Sequence, residues 1–313
     1  MEAAERSIIQ RYPGNPILTK RDVPYPVETV HNAGVVKHGD TYIMLFRSHR
    51  RSGRSIIGLA RSEDGFHFQV APEPFLTPGQ EEPFATYEEF GVEDARICAL
   101  DGEYLITYSA YSCHGVRIGL ARTTDFTRVE RVSLITQADC RNVVIFPQRF
   151  NGRYARLDRV HSEISPWSIW LSFSPDLVHW GDSVIVIKPV PYHWDEMKVG
   201  AGATPIRTDR GWLNIFHGAF PTMDGAVYRL GVALHDLEDP TQVVVGEDWI
   251  LQPEDPWEVT GYVHNVVFTC GAVPEEDGTL KLYWGGADSV MCVGTALIDD
   301  LVEWCLSNSR PGV

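Results

Sequence analysis

Positive charge is scarce in this sequence. Lys and Arg total 27 against 42 Asp and Glu, a formal net charge of -15. Proteins that bind a phosphate backbone present a basic surface, so nucleic acid is not an expected partner. The same scarcity means that an anionic ligand would need the few cations gathered in one place. Long apolar runs are also missing. None approaches the ~20 residues of a membrane span, and the opening stretch MEAAERSIIQRYPGNPIL has no signal-peptide core. The expectation is a cytoplasmic protein with no membrane partner. The six cysteines (Cys98, Cys113, Cys140, Cys270, Cys292, Cys305) form no CxxC pair and no Cys/His cluster at zinc spacing. Four of them lie in apolar runs and read as small buried hydrophobes, so no metal is expected. Helical periodicity of useful length is absent too, apart from a turn at 299–306.

What the sequence does have is a repeat. One unit is an alternating strand followed by a turn, in GLARSEDGFHF, GLARTTDFTRV, WLSFSPDLVHW, GVALHDLEDP and GTALIDDLVEW. These begin at Gly58, Gly119, Trp170, Gly231 and Gly294, so neighbouring starts differ by 61, 51, 61 and 63 residues. Ahead of each lies a polar turn and a strand: HGDTYIMLFRS, DGEYLITYSAY, NGRYARLDRV, RGWLNIFHGA and DGTLKLYWGGAD. Ahead of that lies an apolar strand rich in small residues at its start, as in HNAGVVKH, GVEDARICAL and RNVVIFPQRF. Small residues suit an innermost strand, where sheets crowd round an axis. Three strands per repeat, with a fourth from the linkers, predict an all-β, five-bladed β-propeller. An irregular β-sandwich would not account for one three-part order written five times. Composition does not break along the chain, so a single domain over 1–313 is expected, with a short N-terminal extension at 1–14 and a short C-terminal tail at 305–313.

In such a fold the starts of the first strands and the ends of the second strands meet at the channel mouth, where a small ligand would sit. The first set is His31-Asn32, Glu93-Asp94, Arg141-Asn142, Lys198 and His264-Asn265. The second is Arg47, Tyr108, Arg159, His217 and Asp288. Arg141, Arg159, Lys198 and His217 are all potentially cationic, and they come from two adjacent repeats. Alone, each would read as an ordinary surface or ion-paired residue. In register, they read as an oxyanion site for phosphate or carboxylate. Strand parity sends Glu93 and Asp94 to opposite faces, one to the channel and the other buried or paired, with Arg96 at hand. Asp94 is a candidate general acid if burial raises its pKa. A structural carboxylate at a bend is an equal alternative. The aromatics Trp167, Trp194, Trp212, Tyr111, Tyr228, Trp257 and Tyr262 receive no assignment from composition.

At these residues the sequence resembles a family. RNVVIFPQRFNGRYARLDR, WDEMKVGAGATPIRTDRGWLNIFHG, LSFSPDLVHWG and GYVHNVVF look like signatures of glycoside hydrolase family 130, from about Asn15 to about Asp300. That family consists of five-bladed propellers and is mostly inverting β-mannoside phosphorylases. The resemblance implies one catalytic acid, on Asp94, protonating the mannosyl 3-hydroxyl, which relays the proton to the glycosidic oxygen. It implies phosphate binding by Arg141, Arg159, Lys198 and His217. It places substrate contacts at Asn32, Arg47, Glu93, His161 and Asp288. Inorganic phosphate would be the co-substrate, with no cofactor or metal, and α-mannose 1-phosphate and a shortened sugar the products. Relatives form dimers or larger assemblies, so a homo-oligomer is a further implication. The acid motif reads Glu-Asp-Ala-Arg, with Ala95 where many relatives carry Pro. The segment QEEPFATYEEFGVED resembles members acting on β-1,2-linked mannose more than those acting on mannosyl-N-acetylglucosamine; a phosphorylase of β-1,4-mannosyl-glucose or mannosyl-N-acetylglucosamine is the alternative. Two other readings stand beside this one. A propeller hydrolase using water would draw on Glu93, Glu163 and Asp288 as company for Asp94, and the intact basic set argues against it. A non-catalytic sugar-binding propeller is the third, since fold alone implies no activity.

Overall fold

The three-part repeat folds as five antiparallel meanders in chain order. In the computed structural model, which describes residues 8–313, strands account for 52% of the chain and helix for 6%, so the protein is nearly all-β. The first meander is His31–His38, Thr41–His49 and Ser55–Ser62, with Gln69–Val70 at its edge. The second is Gly91–Leu100, Glu103–Ser112, Gly115–Thr123 and Glu130–Leu134. The third is Cys140–Phe150, Arg153–Val160, Ile169–Ser174 and Gly181–Ile187. In the fourth, Lys198–Ala201 and Ile206–Arg207 both pair with Trp212–Thr222, and Gly225–His235 and Val243–Gly246 follow. The fifth is Val267–Pro274, Thr279–Gly286 and Val290–Leu297. A single parallel bridge, Ser55 to Gly91, joins the first two meanders, so the strands form four hydrogen-bonded sheets, none of them closed.

The extension expected at 1–14, of which residues 1–7 lie outside the described residues, and the tail expected at 305–313 each contribute a strand to the sheets. Gln10–Arg11 pairs with Gly294 and Thr295 on the fifth meander. Ser309–Pro311 pairs with Val244, Val245 and Gly246 on the fourth. An open sheet edge leaves backbone N–H and C=O groups unpaired, and both termini are recruited to cover such edges. Arg11 is fastened further: its Nη2 donates to Glu258 Oε2 at 2.9 Å, and the same buried carboxylate accepts from Trp284 Nε1 at 2.9 Å. The helical turn expected at 299–306 is a ten-residue helix, Ile298–Ser307. It buries Leu301, Val302 and Cys305 on one face.

Apolar side chains fill the spaces between neighbouring meanders. Phe146 of the third meets Trp212 of the fourth edge-on at 5.7 Å. Trp284 of the fifth packs in one cluster with Leu213 and Leu230 of the fourth. A fully buried side chain of this size stabilises by about 2–3 kcal/mol relative to exposure. The first strands touch one another: His31–His38 contacts Gly91–Leu100 and Val267–Pro274, and Cys140–Phe150 contacts Gly91–Leu100 and Lys198–Ala201. That packing gathers the polar starts of the repeats at one place. No helix of the described residues is long and apolar enough to cross a membrane.

Candidate active site

Where the first strands gather, a cavity of about 780 Å3 opens. Three of its lining residues occupy the same position in three successive meanders. Asn32, Asp94 and Asn142 have φ of 50°, 52° and 57°. Each lies inside a register shift between its first and second strands: His31 to Gly34, Glu93 to Arg96, and Arg141 to Val144. These are bulges, and Asn and Asp tolerate the left-handed conformation better than other residues with a Cβ. The bulge breaks strand alternation and brings the Asp94 carboxylate into the cavity wall. Asn32 Nδ2 donates to Asp94 Oδ1 at 3.1 Å.

One wall carries carboxylates around a single cation. Arg47 Nη1 donates to Asp94 Oδ1 at 3.2 Å and its Nη2 to Glu93 Oε1 at 2.7 Å. Burial works against the Arg47 charge, but Asp94, Glu93 and Asp288 outweigh it and raise the pKa. Burial pushes Asp94 up, yet the charges of Arg47, Arg96 and His31 and the bond from Asn32 hold it at about 2. Asp288 goes the other way. Burial, reinforced by Asp94 and Glu93 against the pull of Arg47, lifts it to about 6.

The facing wall carries cations. Arg141, Arg159 and Lys198 all line the cavity. Only Arg141 has a carboxylate partner, a long 3.4 Å contact to Glu93. Among the described residues, neither Arg159 nor Lys198 has one. Burial depresses Arg159 to about 10, with Arg141 and Arg96 adding repulsion. It depresses Lys198 to about 8, with Arg159 and Arg141 adding theirs. The Lys198 ammonium lies over Trp167 at 5.2 Å and Tyr228 at 5.0 Å, and aromatic faces offset part of the cost. His217 stands behind this wall, fully buried. Its Nε2 faces Arg159 Nη1 at 3.0 Å, and because guanidinium only donates, Nε2 is the acceptor and the ring is neutral. Burial, followed by the charges of Arg159, Arg96 and Lys198, holds its pKa well below the usual histidine range. Gly200 makes this packing feasible, since a Cβ there would lie 2.6 Å from both Asn142 and His217.

The third wall is apolar and aromatic. Phe90 and Tyr111 stack edge-on at 5.5 Å, joined by Cys113, Val116 and Asp139. Phe90 arrives on the segment before the second meander, which Glu88 anchors. This buried carboxylate accepts from Tyr108 Oη at 2.6 Å, Arg131 Nη2 at 2.8 Å and Gly79 N at 2.7 Å. His161 lies on the same side, 4.1 Å from Trp167 by ring centroids and 4.0 Å from Asp139. The arrangement is thus a polyol-sized cavity with acids on one side, uncompensated cations on another and an aromatic rim. A model of glycoside hydrolase family 130, described as β-1,4-mannooligosaccharide phosphorylase, matches residues 5–307.

The chain belongs to glycoside hydrolase family 130.

Its likeness to relatives in that family covers most of the chain. A 1,2-β-oligomannan phosphorylase of Thermoanaerobacter sp. (strain X514) is 33% identical over 303 residues, covering 93% of this chain and 97% of the relative. A β-1,2-mannobiose phosphorylase of Listeria innocua serovar 6a is 40% identical over 239 residues, covering 76% of this chain and 65% of the relative. The solved structure of a Listeria innocua β-1,2-mannobiose phosphorylase with β-1,2-mannobiose superimposes with a TM-score of 0.88 at 30% identity, covering 96% of this chain and 99% of that one.

Of the residues singled out from sequence in this family member, Asn32, Arg47, Asp94, Arg141, Arg159, His161, Lys198 and Asp288 share the cavity. Two are placed differently. His217 does not line it and carries no charge for an anion; its place is behind Arg159. Glu93 does not line it either, and is held by Arg47, Arg141 and Ser55. Nor does Arg96 pair with either carboxylate. It donates to the main-chain oxygens of Asp94, Ala201 and Gly202 and to Asn142, bracing three meanders. The acid expectation, that burial raises Asp94, is reversed because the charge of Arg47, with Arg96 and His31, overrides burial. Sequence reasoning had Asn142 at the channel mouth, as found, but missed the role of Tyr228 and Trp167 beside Lys198, and of Phe90 and Asp139 on the rim. Asn142 was legible because Asn or Asp recurs at that repeat position; Phe90 and Asp139 come from linkers, which have no register.

Proposed function

We propose that this protein is an inverting phosphorylase of β-mannosides, with β-1,2-linked mannobiose or short oligomannans as substrate. The observation that carries this reading is the pair of cations, Arg159 and Lys198, left without carboxylate partners in the same cavity as Asp94. Buried charges of one sign are tolerated when a ligand completes them, and a phosphate dianion does so. In this reading Arg141, Arg159 and Lys198 hold phosphate and aim one oxygen at the anomeric carbon. Asn32, Arg47 and Asp288 hold the mannosyl unit. The C1–O bond to the leaving sugar breaks as the C1–O–P bond forms. A proton reaches the leaving oxygen from Asp94 by way of a mannosyl hydroxyl, and phosphate gives up its own proton to restore the balance. Arg47 holds the Asp94 carboxyl low, so it takes up its proton when a ligand's charge offsets that of Arg47. The incoming anion raises its proton affinity, which couples loading of the acid to loading of the nucleophile. Positioning and charge complementarity supply the rate, and the reaction calls for no metal or organic cofactor. The relatives named for β-1,2 linkages support that linkage over β-1,4.

The five meanders, as part of this proposal, are the blades of a five-bladed propeller forming one domain. The contacts between successive first strands and the edge-covering termini support that arrangement. Five buried free cysteines suit a reducing compartment such as the cytoplasm. Incubation with β-1,2-mannobiose and with β-1,4-mannosyl sugars, with and without phosphate, tests the function. Mannose 1-phosphate formed only with phosphate is the expected result. Free mannose released equally without phosphate would make the protein a hydrolase.

A further inference from the structure

The linker that leads into Lys198 is held at both ends by the C-terminal strand. Residues 188–197 run from the last strand of the third meander to the first of the fourth. At the start of this linker, Lys188 N donates to Gly312 O at 2.9 Å. Near its end, Arg310 Nη2 donates to Asp195 Oδ2 at 2.7 Å, across 115 positions of sequence. Arg310 lies in Ser309–Pro311, opposite Val245 at the edge of the fourth meander. That strand lies beyond the residues matched by the family model, which end at 307.

Asp195 is fully buried, and a buried carboxylate costs desolvation unless charge and hydrogen bonds answer it. Arg310 supplies the charge. His193 Nδ1 donates to the other carboxylate oxygen at 2.8 Å. The linker is pressed against the strand that carries His217. A Cβ on Gly218 would lie 2.5 Å from both Asp195 Cβ and the Trp194 ring, so the close approach needs glycine there. Trp194 stacks on Phe216 at 5.7 Å, and its Nε1 donates to Glu247 O at 2.8 Å. Glu247 N donates to Asn308 O at 2.9 Å, a second route from linker to tail. Met197 N then donates to Ala219 O at 2.9 Å, and Lys198 follows in register with Ala219.

This fastening has an electrostatic consequence. The two carboxylates nearest Lys198 in sequence are engaged elsewhere, Asp195 by Arg310 and His193, and Glu196 by Tyr192 N. The ammonium is left to the cavity, between the Trp167 and Tyr228 rings, with Arg159 and Arg141 repelling it. A flexible four-carbon side chain keeps such a place against repulsion only where its backbone is fixed.

We propose that Arg310 is a positioning residue for phosphate, acting through Asp195 on the linker that aims Lys198 into the cavity. The inference rests on the phosphorylase reading above. Arg310 does not line the cavity. Its influence is confined to the substrate that Lys198 meets, the anion, and does not extend to the sugar.

The test is steady-state phosphorolysis of β-1,2-mannobiose, read as mannose 1-phosphate, with each substrate varied in turn. Arg310→Met should raise phosphate KM by about tenfold and leave kcat and mannobiose KM within about twofold. Arg310→Lys keeps a charge opposite Asp195 and should recover most of the loss. In a Lys198→Met background, Arg310→Met should add nothing further, because residues acting through one group are not additive. Asp195→Asn leaves no carboxylate buried without its partner, so it carries the test even where Arg310→Met folds poorly. Its phosphate KM should rise by a few-fold, about the worth of one charged hydrogen bond. Equal rises in both KM values, no rise in either, or a further rise on top of Lys198→Met would overturn the proposal. If the unaltered protein forms no mannose 1-phosphate, the phosphorylase reading falls instead. Hydrogen exchange of the amides at 189–198 then reads the clamp alone. Faster exchange in Arg310→Met is expected, and unchanged exchange would sink it separately.

Discussion

The two charged walls of the cavity use arginine in opposite ways. On one, Arg47 is ringed by Glu93, Asp94 and Asp288, and its charge is fully answered within the protein. On the other, Arg159 and Lys198 face each other's charge with no carboxylate near, and both are pushed toward losing a proton. Both walls are buried, so burial alone does not distinguish them. Pairing does. A cation already compensated holds the site's shape, whereas one left uncompensated is complete only with a ligand. The same contrast separates the two carboxylic acids, since Arg47 holds Asp94 near 2 while Asp288 sits near 6.

Substitutions can break this contrast at either end. The largest effect is expected from Asp94→Asn, which keeps the bulge and the bond from Asn32 but removes the proton donor. Phosphorolysis should fall by about a thousandfold with phosphate affinity retained. A fall of less than about tenfold would move the acid elsewhere, with Asp288 the next candidate. Arg47→Met comes second. It leaves three carboxylates around a vacant centre and should lower folding stability by about 3 kcal/mol, measured by denaturant unfolding. An unchanged midpoint would mean the compensated wall is not structural.

Lys198→Met should do the reverse. Its phosphate KM should rise by about tenfold or more, while the empty protein unfolds no earlier, because a repulsive charge has gone. The pH dependence follows from the same group. Its folded pKa of about 8 lies below the usual 10.5. The empty protein therefore carries this charge at a cost below about pH 8, and is relieved of it as pH climbs toward 10.5. Phosphate KM should accordingly worsen as pH rises through 8, and this slope should vanish in the variant. The smallest effect belongs to His217→Leu, which deprives Arg159 of its acceptor. Phosphate KM should rise by a few-fold, about the worth of one hydrogen bond, with kcat nearly unchanged. A loss as large as that of Lys198→Met would instead put His217 in contact with the anion.

Much of the fold was legible because each repeat rewrites the same local instruction. Alternation at period two, a Gly- or Asp-bearing turn and small residues at the inner strand recur five times, and an accident in one copy is corrected by the others. The site was legible only where it kept the repeat's register. Arg47, Arg159 and Asp288 all fall at the end of a second strand, and Asn32, Asp94 and Arg141 at the start of a first. Register says nothing about which neighbour a side chain meets. Glu93 was therefore expected near the ligand or paired with Arg96, and is bound by Arg47 and Arg141. The terminal segments 8–14 and 305–313 carry no repeat signal, and their pairing depends on edges that exist only once the other strands are in place.

The sequence by itself determined the all-β class, the five-fold repeat, and the set of charged residues that fall in register. These depend on side-chain periodicity, which acts over a few residues. Tertiary structure decided which charges are compensated, that His217 is neutral behind Arg159, and that Asp94 turns into the cavity at a bulge with φ of 52°. It also placed Asp139, on a linker, in the lining of the main cavity. Electrostatic environment and concavity are properties of residues distant in sequence, and they come into being only when the first strands pack together.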